Sequence, residues 1–190
     1  MAKQYTKELI KKEFIKLVSK RPLKNITIDE LSQNCEINRN TFYYHYEDIY
    51  MLVREILNDE LIKLDEEFNN TLSWEESFIL AISFILENKK ATLNIFRSID
   101  QQYIDNYLYE TCGRVMDKFI ENECKIKNIK PKEEDIKLIR SFYQFALIGF
   151  LNHWIEEGLK DDPQEYINRL GKLFEGNIER SLRISEGDSF

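Results

Sequence analysis

Histidine is nearly absent from this chain, and the two that occur, His45 and His153, stand far apart. No HExxH helix is present, and little is left for general acid–base work. The six glycines never gather into a phosphate-cradling loop, and no GxSxG elbow occurs. Cys35, Cys112 and Cys124 are an odd, widely spaced set without a CxxC pair, so they read as small apolar fillers rather than ligands or redox sensors. The acidic clusters Asp65-Glu66-Glu67 and Glu133-Glu134-Asp135 fall at an expected helix end and helix start. They read as solvated faces or complements to the helix dipole, not as acid/base pairs. An enzyme, a metal site and a bound cofactor are therefore not expected. No apolar run approaches the roughly 20 residues of a membrane span. The N-terminus is charged from Lys3 onward with no secretory core, which makes the cytoplasm the default location and leaves no role for a membrane.

What the chain has is apolar and aromatic content, 43% and 13% over 190 residues, which argues against disorder and suffices for one large or two small domains with a real core. The net charge of −7 conceals an asymmetry. Residues 1–26 carry eight Lys or Arg against Glu8 and Glu13, hence +6, and the remainder must sum to −13. A basic arm on an acidic body is drawn to phosphate through one end, with a steep dependence on salt. The plainer alternative is a solvated lysine-rich helix face.

Directly after that arm, Thr27 to Tyr46 reads TIDELSQNCEINRNTFYYHY. Thr27 with Glu30 is a capping-box start, and Ile28, Leu31 and Cys35 recur at helical spacing, predicting a short helix over 28–34. Asn38 is a good N-cap for a second helix of barely two turns, anchored by Phe42 and Tyr46 four apart. Two helices so closely joined cross steeply, which is helix-turn-helix geometry with the second helix able to enter a major groove. Arg39 and Asn40 on its first turn suit guanine and adenine edges. Thr41, Tyr43, Tyr44 and His45 carry donors suited to phosphates, and Thr41 can also touch a thymine methyl. Thr27 both caps its helix and leaves a backbone N–H for a phosphate, and Lys24 of the basic segment joins the phosphate set. For His45 the alternative is a satisfied surface side chain.

The run Ile37 to Tyr46, with its Thr-aromatic-Tyr-Tyr-His-aromatic core followed by an acidic pair and Leu52, resembles the recognition-helix signature of the TetR family of transcriptional regulators. The Lys11 to Leu31 segment is similar to that family's first two helices. Many members carry a phosphate-binding Lys near the start of the fourth helix, whereas Ile49 stands here. The TFYYHY-x-D-I-Y run and the Gly149 to Gly158 segment look most like the branch that includes dihydroxyacetone-kinase regulators.

The rest of the chain shows amphipathic segments and no alternating strand pattern, so the expected fold is all-α. A three-helix head over 1–47 precedes a helical effector-binding and dimerisation body over 48–190. Helix 1 is expected over 6–19, ended by Arg21-Pro22. A fourth helix runs from about Asp48 through Phe68 to a break at Asn69-Asn70-Thr71. A single helix from the Ser73/Glu76 capping box passes Phe78, Ile82, Ile85 and Leu86, and a short one covers 92–98. Then come long helices over 101–125 and from Pro131 to Gly158, the latter with Ile136, Phe142, Ala146, Leu147 and Trp154 inward. One last helix runs from Asp162 through Leu182 to a frayed tail over 186–190.

The resemblance implies a two-fold dimer in which the last two helices of each chain form a four-helix bundle. Gly149, Phe150, Leu170, Phe174 and Ile178 are the interface candidates. It would present two reading helices about 34 Å or more apart to a palindromic operator in double-stranded DNA. The alternative is a monomeric bundle whose glycines are merely tolerated. It also implies a cavity for an unidentified small-molecule effector, with Phe96, Tyr103, Tyr107, Met116, Tyr143, Gln144 and Trp154 as candidate lining. Plain core is the alternative for each. The expected function is a cytoplasmic, homodimeric, sequence-specific DNA-binding regulator, a repressor released by its effector. The contrasting reading is an adaptor or coactivator that keeps the fold but binds a protein or metabolite.

Overall fold

The apolar positions of the first segment decide where the chain begins to pack. Ile10, Phe14, Leu17 and Val18 recur along one side of α1 (Ala2–Val18) and are all buried. The computed structural model describes residues 2–67 and 73–187. The expected break at Asn69-Asn70-Thr71, Phe68 and the last three residues of the tail lie outside them. Helix α1 stops before Arg21-Pro22, and a single 3-10 turn (Leu23–Asn25) buries Leu23.

Thr27 then caps α2 (Ile28–Asn34), its Oγ1 accepting from the Glu30 N–H at 3.2 Å. The other half of the expected capping box is absent, because the Glu30 carboxylate pairs with Arg21 instead. The chain leaves α2 through Glu36, which has the left-handed φ of +53°. Its N–H bonds the Gln33 carbonyl and the Ile37 N–H bonds that of Ser32, both at 3.0 Å. This is the Schellman closure, here made without glycine. Asn38 Oδ1 accepts from the Thr41 N–H at 2.8 Å and starts α3 (Arg39–His45). Asp48 does the same for α4 (Ile49–Glu67) through the Met51 N–H at 2.6 Å.

Ser73 and Glu76 form both halves of a capping box on α5 (Trp74–Ala81). The expected single helix is interrupted at Ile82, and α6 (Ser83–Glu87) is separate. Next come α7 (Lys89–Phe96), starting earlier than expected, and α8 (Gln101–Lys127), closed by Asn128 at φ +51°. Helix α9 (Glu133–Glu156) is capped by Lys132, so Pro131 stands outside it rather than in its first turn, and Gly158 at φ +82° ends it.

The expected last helix is two. Asp162 caps α10 (Pro163–Leu173), and Gly176, at φ +73°, turns the chain into α11 (Asn177–Glu186). A left-handed backbone cannot continue a right-handed helix, so this glycine breaks the segment instead of lying within it.

Among the described residues there are eleven α-helices and no strand. They divide into two compact units, Met1–Ile62 with Phe84–Ile104, and Lys63–Ser83 with Asp105–Phe190. In the first, α1 packs on α2 and α7, and α2 on α3, around Ile10, Phe14, Leu31, Phe42 and Tyr46. The Asn94 amide donates to the Val18 carbonyl at 2.7 Å, so α7 closes the end of α1. The compact unit that holds the reading head thus extends past residues 1–47. In the second unit, α10 packs on α5 and α11 on α9.

Candidate nucleic-acid interface

Helix α3 is held from below by Phe42 and Tyr46, both buried, their rings 5.7 Å apart. With those two turned inward, the residues between them must face out. Arg39, Asn40, Tyr43 and Tyr44 are exposed, the last two at 49% and 70%, while Thr41 and His45 are half-buried. Large exposed aromatics on a two-turn helix are expensive to hydrate. Their hydroxyls suit phosphate oxygens. Thr27 and Lys24 are exposed at and before the start of α2.

Thr41 spends both its N–H and its hydroxyl on Asn38, the hydroxyl at 3.1 Å. Arg39 has a partner the sequence reading did not anticipate: its Nε lies 2.6 Å from Asp29 on α2. Both side chains are exposed, so the pair is weak and separable.

Behind the helix lies a second feature absent from that reading. The Tyr46 hydroxyl donates to Glu55 of α4 at 3.2 Å. Glu55 also accepts from Lys7 at 2.6 Å and Lys11 at 2.9 Å, and Lys11 bonds Asp59. Burial alone raises the Glu55 carboxyl, but the hydrogen bonds and charges of Lys7 and Lys11 outweigh it and hold it below the usual carboxylate range. Burial likewise opposes the charge on Lys11, and Asp59 and Glu55 prevail, holding it above the usual lysine range. The signal was in the chain as matched spacings, Lys7 with Lys11 and Glu55 with Asp59, each four apart on one helix face.

The cysteines fit the filler reading. Cys35 and Cys112 are buried and Cys124 partly so, and burial pushes the Cys112 thiol up to about 12.

The candidate effector residues are dispersed. In the first unit Phe96 is half-buried, and Tyr103 lines a cavity of about 340 Å³ with Asp48, Tyr50 and Arg54, the Arg54 guanidinium 5.3 Å from its ring. In the second unit Tyr107, Met116, Gln144 and Trp154 are buried and Tyr143 partly so. Gln144 donates to the Tyr109 carbonyl at 2.7 Å and accepts from Arg140 at 3.1 Å, and the Trp154 indole N–H donates to Asp161 at 2.9 Å. None of these five lines that cavity, or either of two others, of about 370 and 550 Å³, within the second unit.

Of the interface candidates, Gly149 is exposed with open space where a Cβ would stand, and Phe174 is exposed. Phe150 and Leu170 are half-buried and Ile178 is buried in its own chain. Helix α9 carries an exposed apolar stripe, Leu138 and Phe142 at 69% each and Phe145 at 61%, continued by Gly149 at the helical repeat. Phe142 and Ala146 therefore face outward, contrary to the inward placement expected of them.

Against known proteins, a TetR-type family model described as a transcriptional regulator C-terminal region matches residues 73–176. A curated relative, the HTH-type dhaKLM operon transcriptional activator DhaS of Lactococcus lactis subsp. lactis (strain IL1403), is 24% identical over 115 residues, 60% of this chain. The chain spans 60% of the length of that relative. Among solved structures, a dihydroxyacetone kinase operon activator DhaS superposes with a TM-score of 0.79 at 19% identity, covering 92% of this chain and 97% of that one. NalD, the secondary repressor of the MexAB-OprM multidrug efflux pump in Pseudomonas aeruginosa, superposes with a TM-score of 0.60 at 13% identity, covering 95% and 97%. At such identities the two superpositions speak for the fold. With the family model matching more than half of its length, the chain belongs to the TetR family of transcriptional regulators.

Proposed function

We propose that the chain is a cytoplasmic, homodimeric regulator that binds a palindromic operator in double-stranded DNA through α3 and represses until a small-molecule effector releases it. The observation that carries this is the α3 surface. A seven-residue helix, fixed by buried Phe42 and Tyr46, turns Arg39, Asn40, Tyr43 and Tyr44 to solvent in the same compact unit as a basic first helix. Arg39 and Asn40 supply base contacts, and Thr27, Lys24, Tyr43, Tyr44 and His45 supply phosphate contacts, with the Thr41 methyl toward a thymine. The exposed stripe on α9 offers a surface for a second copy, alongside the candidates Gly149, Phe150, Leu170, Phe174 and Ile178. For the effector, the family supports a body-borne site, and the Tyr107, Met116, Tyr143, Gln144 and Trp154 set remains its proposed lining, with Phe96 and Tyr103 in the first unit. Activation is the second reading of the output, favoured by the names of the DhaS relatives. An adaptor that ignores DNA has no use for an aromatic, Arg-Asn-led face held away from its own core.

Binding to random duplex measured at two salt concentrations tests the reading. It predicts retention at low salt and a steep loss at high salt, with the slope reduced by roughly one unit in Lys24→Ala. No retention at either concentration would return the adaptor reading to first place. Selection from a random pool should then enrich an inverted repeat, as a two-fold dimer requires.

A further inference from the structure

Tyr46 is the C-cap of α3, its N–H closing on the Phe42 carbonyl at 2.9 Å, and its ring is buried against that of Phe42. Apolar burial is non-directional, so the two rings fix how deeply α3 sits but hold its roll about its own axis only loosely. Roll matters on the outer face. Turning a helix by roughly 20° carries a tip at its outer radius of roughly 6 Å sideways by about 2 Å, enough to break a paired hydrogen bond to a base edge.

The Tyr46 hydroxyl supplies a directional restraint. It donates to Glu55 Oε1 on α4 at 3.2 Å, an oxygen that also lies 2.9 Å from Lys11 Nζ, while Lys7 Nζ lies 2.6 Å from Oε2. Lys11 is buried and bonds Asp59 one turn along α4, and the Lys7 ammonium stands 5.4 Å from the centre of the Tyr46 ring. Both lysines belong to α1, so the acceptor is itself anchored, and one carboxylate joins α1, α4 and the end of α3. The Arg39–Asp29 pair, being exposed, is the weaker tether.

We infer that Tyr46 and Glu55 are specificity-determining positioning residues: without touching DNA, their hydroxyl–carboxylate bond sets the roll of α3 and with it the alignment of Arg39 and Asn40 on base edges. The inference rests on the base contacts proposed for α3. Phosphate contacts carry little sequence information, so a small roll costs base readout more than it costs phosphate binding. Lys7 and Lys11 are at the same time withdrawn from the phosphate-binding charge of the first helix, since each already faces a carboxylate of α4.

Competition on the full chain between random duplex and the duplex enriched by selection tests it. Tyr46→Phe keeps the ring and removes the hydroxyl. It should lower the preference for the selected duplex about tenfold, the size of one hydrogen bond to a charged acceptor, and leave binding to random duplex as in the wild type. Glu55→Ala reaches the same bond from the other side and should lower the preference to a similar extent, with little further loss when Tyr46→Phe is added to it. Lys24→Ala is the contrast: a lost phosphate ligand weakens both duplexes by the same factor and keeps the preference. Helix content measured in parallel identifies the folded variants. A folded Tyr46→Phe chain with wild-type preference, equal weakening on both duplexes, or losses that add in the double variant would each overturn the inference while DNA binding itself stands. A wild-type chain with no preference for any duplex would overturn it together with the base contacts on which it rests.

Discussion

At the scale of single residues, the left-handed Glu36 carries a backbone cost that a glycine would not. A Cβ at that backbone conformation is disfavoured by roughly 1 kcal/mol relative to glycine. Glu36→Gly should therefore raise stability to chemical denaturation by about that amount, with the turn closed by the same two hydrogen bonds. A drop in stability would mean that the Glu36 side chain contributes more than its backbone costs. Arg39 invites the opposite kind of measurement. Arg39→Ala should relax sequence preference at one base-pair position by about 1 to 3 kcal/mol, read from competition between selected and singly altered duplexes. Asp29→Ala, which frees the guanidinium, should tighten binding overall.

At the scale of elements, the stack of α3 on α4 and α1 depends on the Glu55 carboxylate. Its folded value lies below its unfolded one, so its contribution is complete above the ordinary carboxylate value near 4.5 and fades as pH falls through the folded value. Acid titration of thermal stability should show that loss, and Glu55→Gln should flatten it while lowering stability at neutral pH, because Lys7 loses its carboxylate partner and Lys11 keeps only Asp59 and Glu8. An unchanged acid limb in Glu55→Gln would assign the loss to other carboxylates. Most element starts were legible, because caps are local chemistry: Thr27, Asn38, Ser73 and Asp162 each hold the hydrogen bond their residue type suggests. The breaks at Ile82 and Gly176 were not. Apolar periodicity runs straight through Phe78, Ile82 and Ile85, and Gly176 carried no local mark to separate a tolerated glycine from a left-handed one. The reading face was legible as well, since two buried aromatics four apart dictate what lies between them. Its Asp29 and Glu55 partners were not, being set by tertiary placement.

At the scale of the whole molecule, charge and exposed apolar area point to two different associations. The +6 of residues 1–26 against −13 elsewhere favours polyanions at the head, and under the proposed dimer the α9 stripe is where a second copy would dock. Phe145→Asp should place a charge in that stripe and shift the sedimenting species from dimer to monomer. Helix content should stay intact, because the side chain is already in solvent. A dimer of undiminished stability in that variant would move the interface to other surfaces. The Arg39–Asp29 pair has a last consequence for how such a dimer reads. If α3 reads bases as proposed, Arg39 has to exchange Asp29 for a base acceptor, so recognition would begin with the protein letting go of itself.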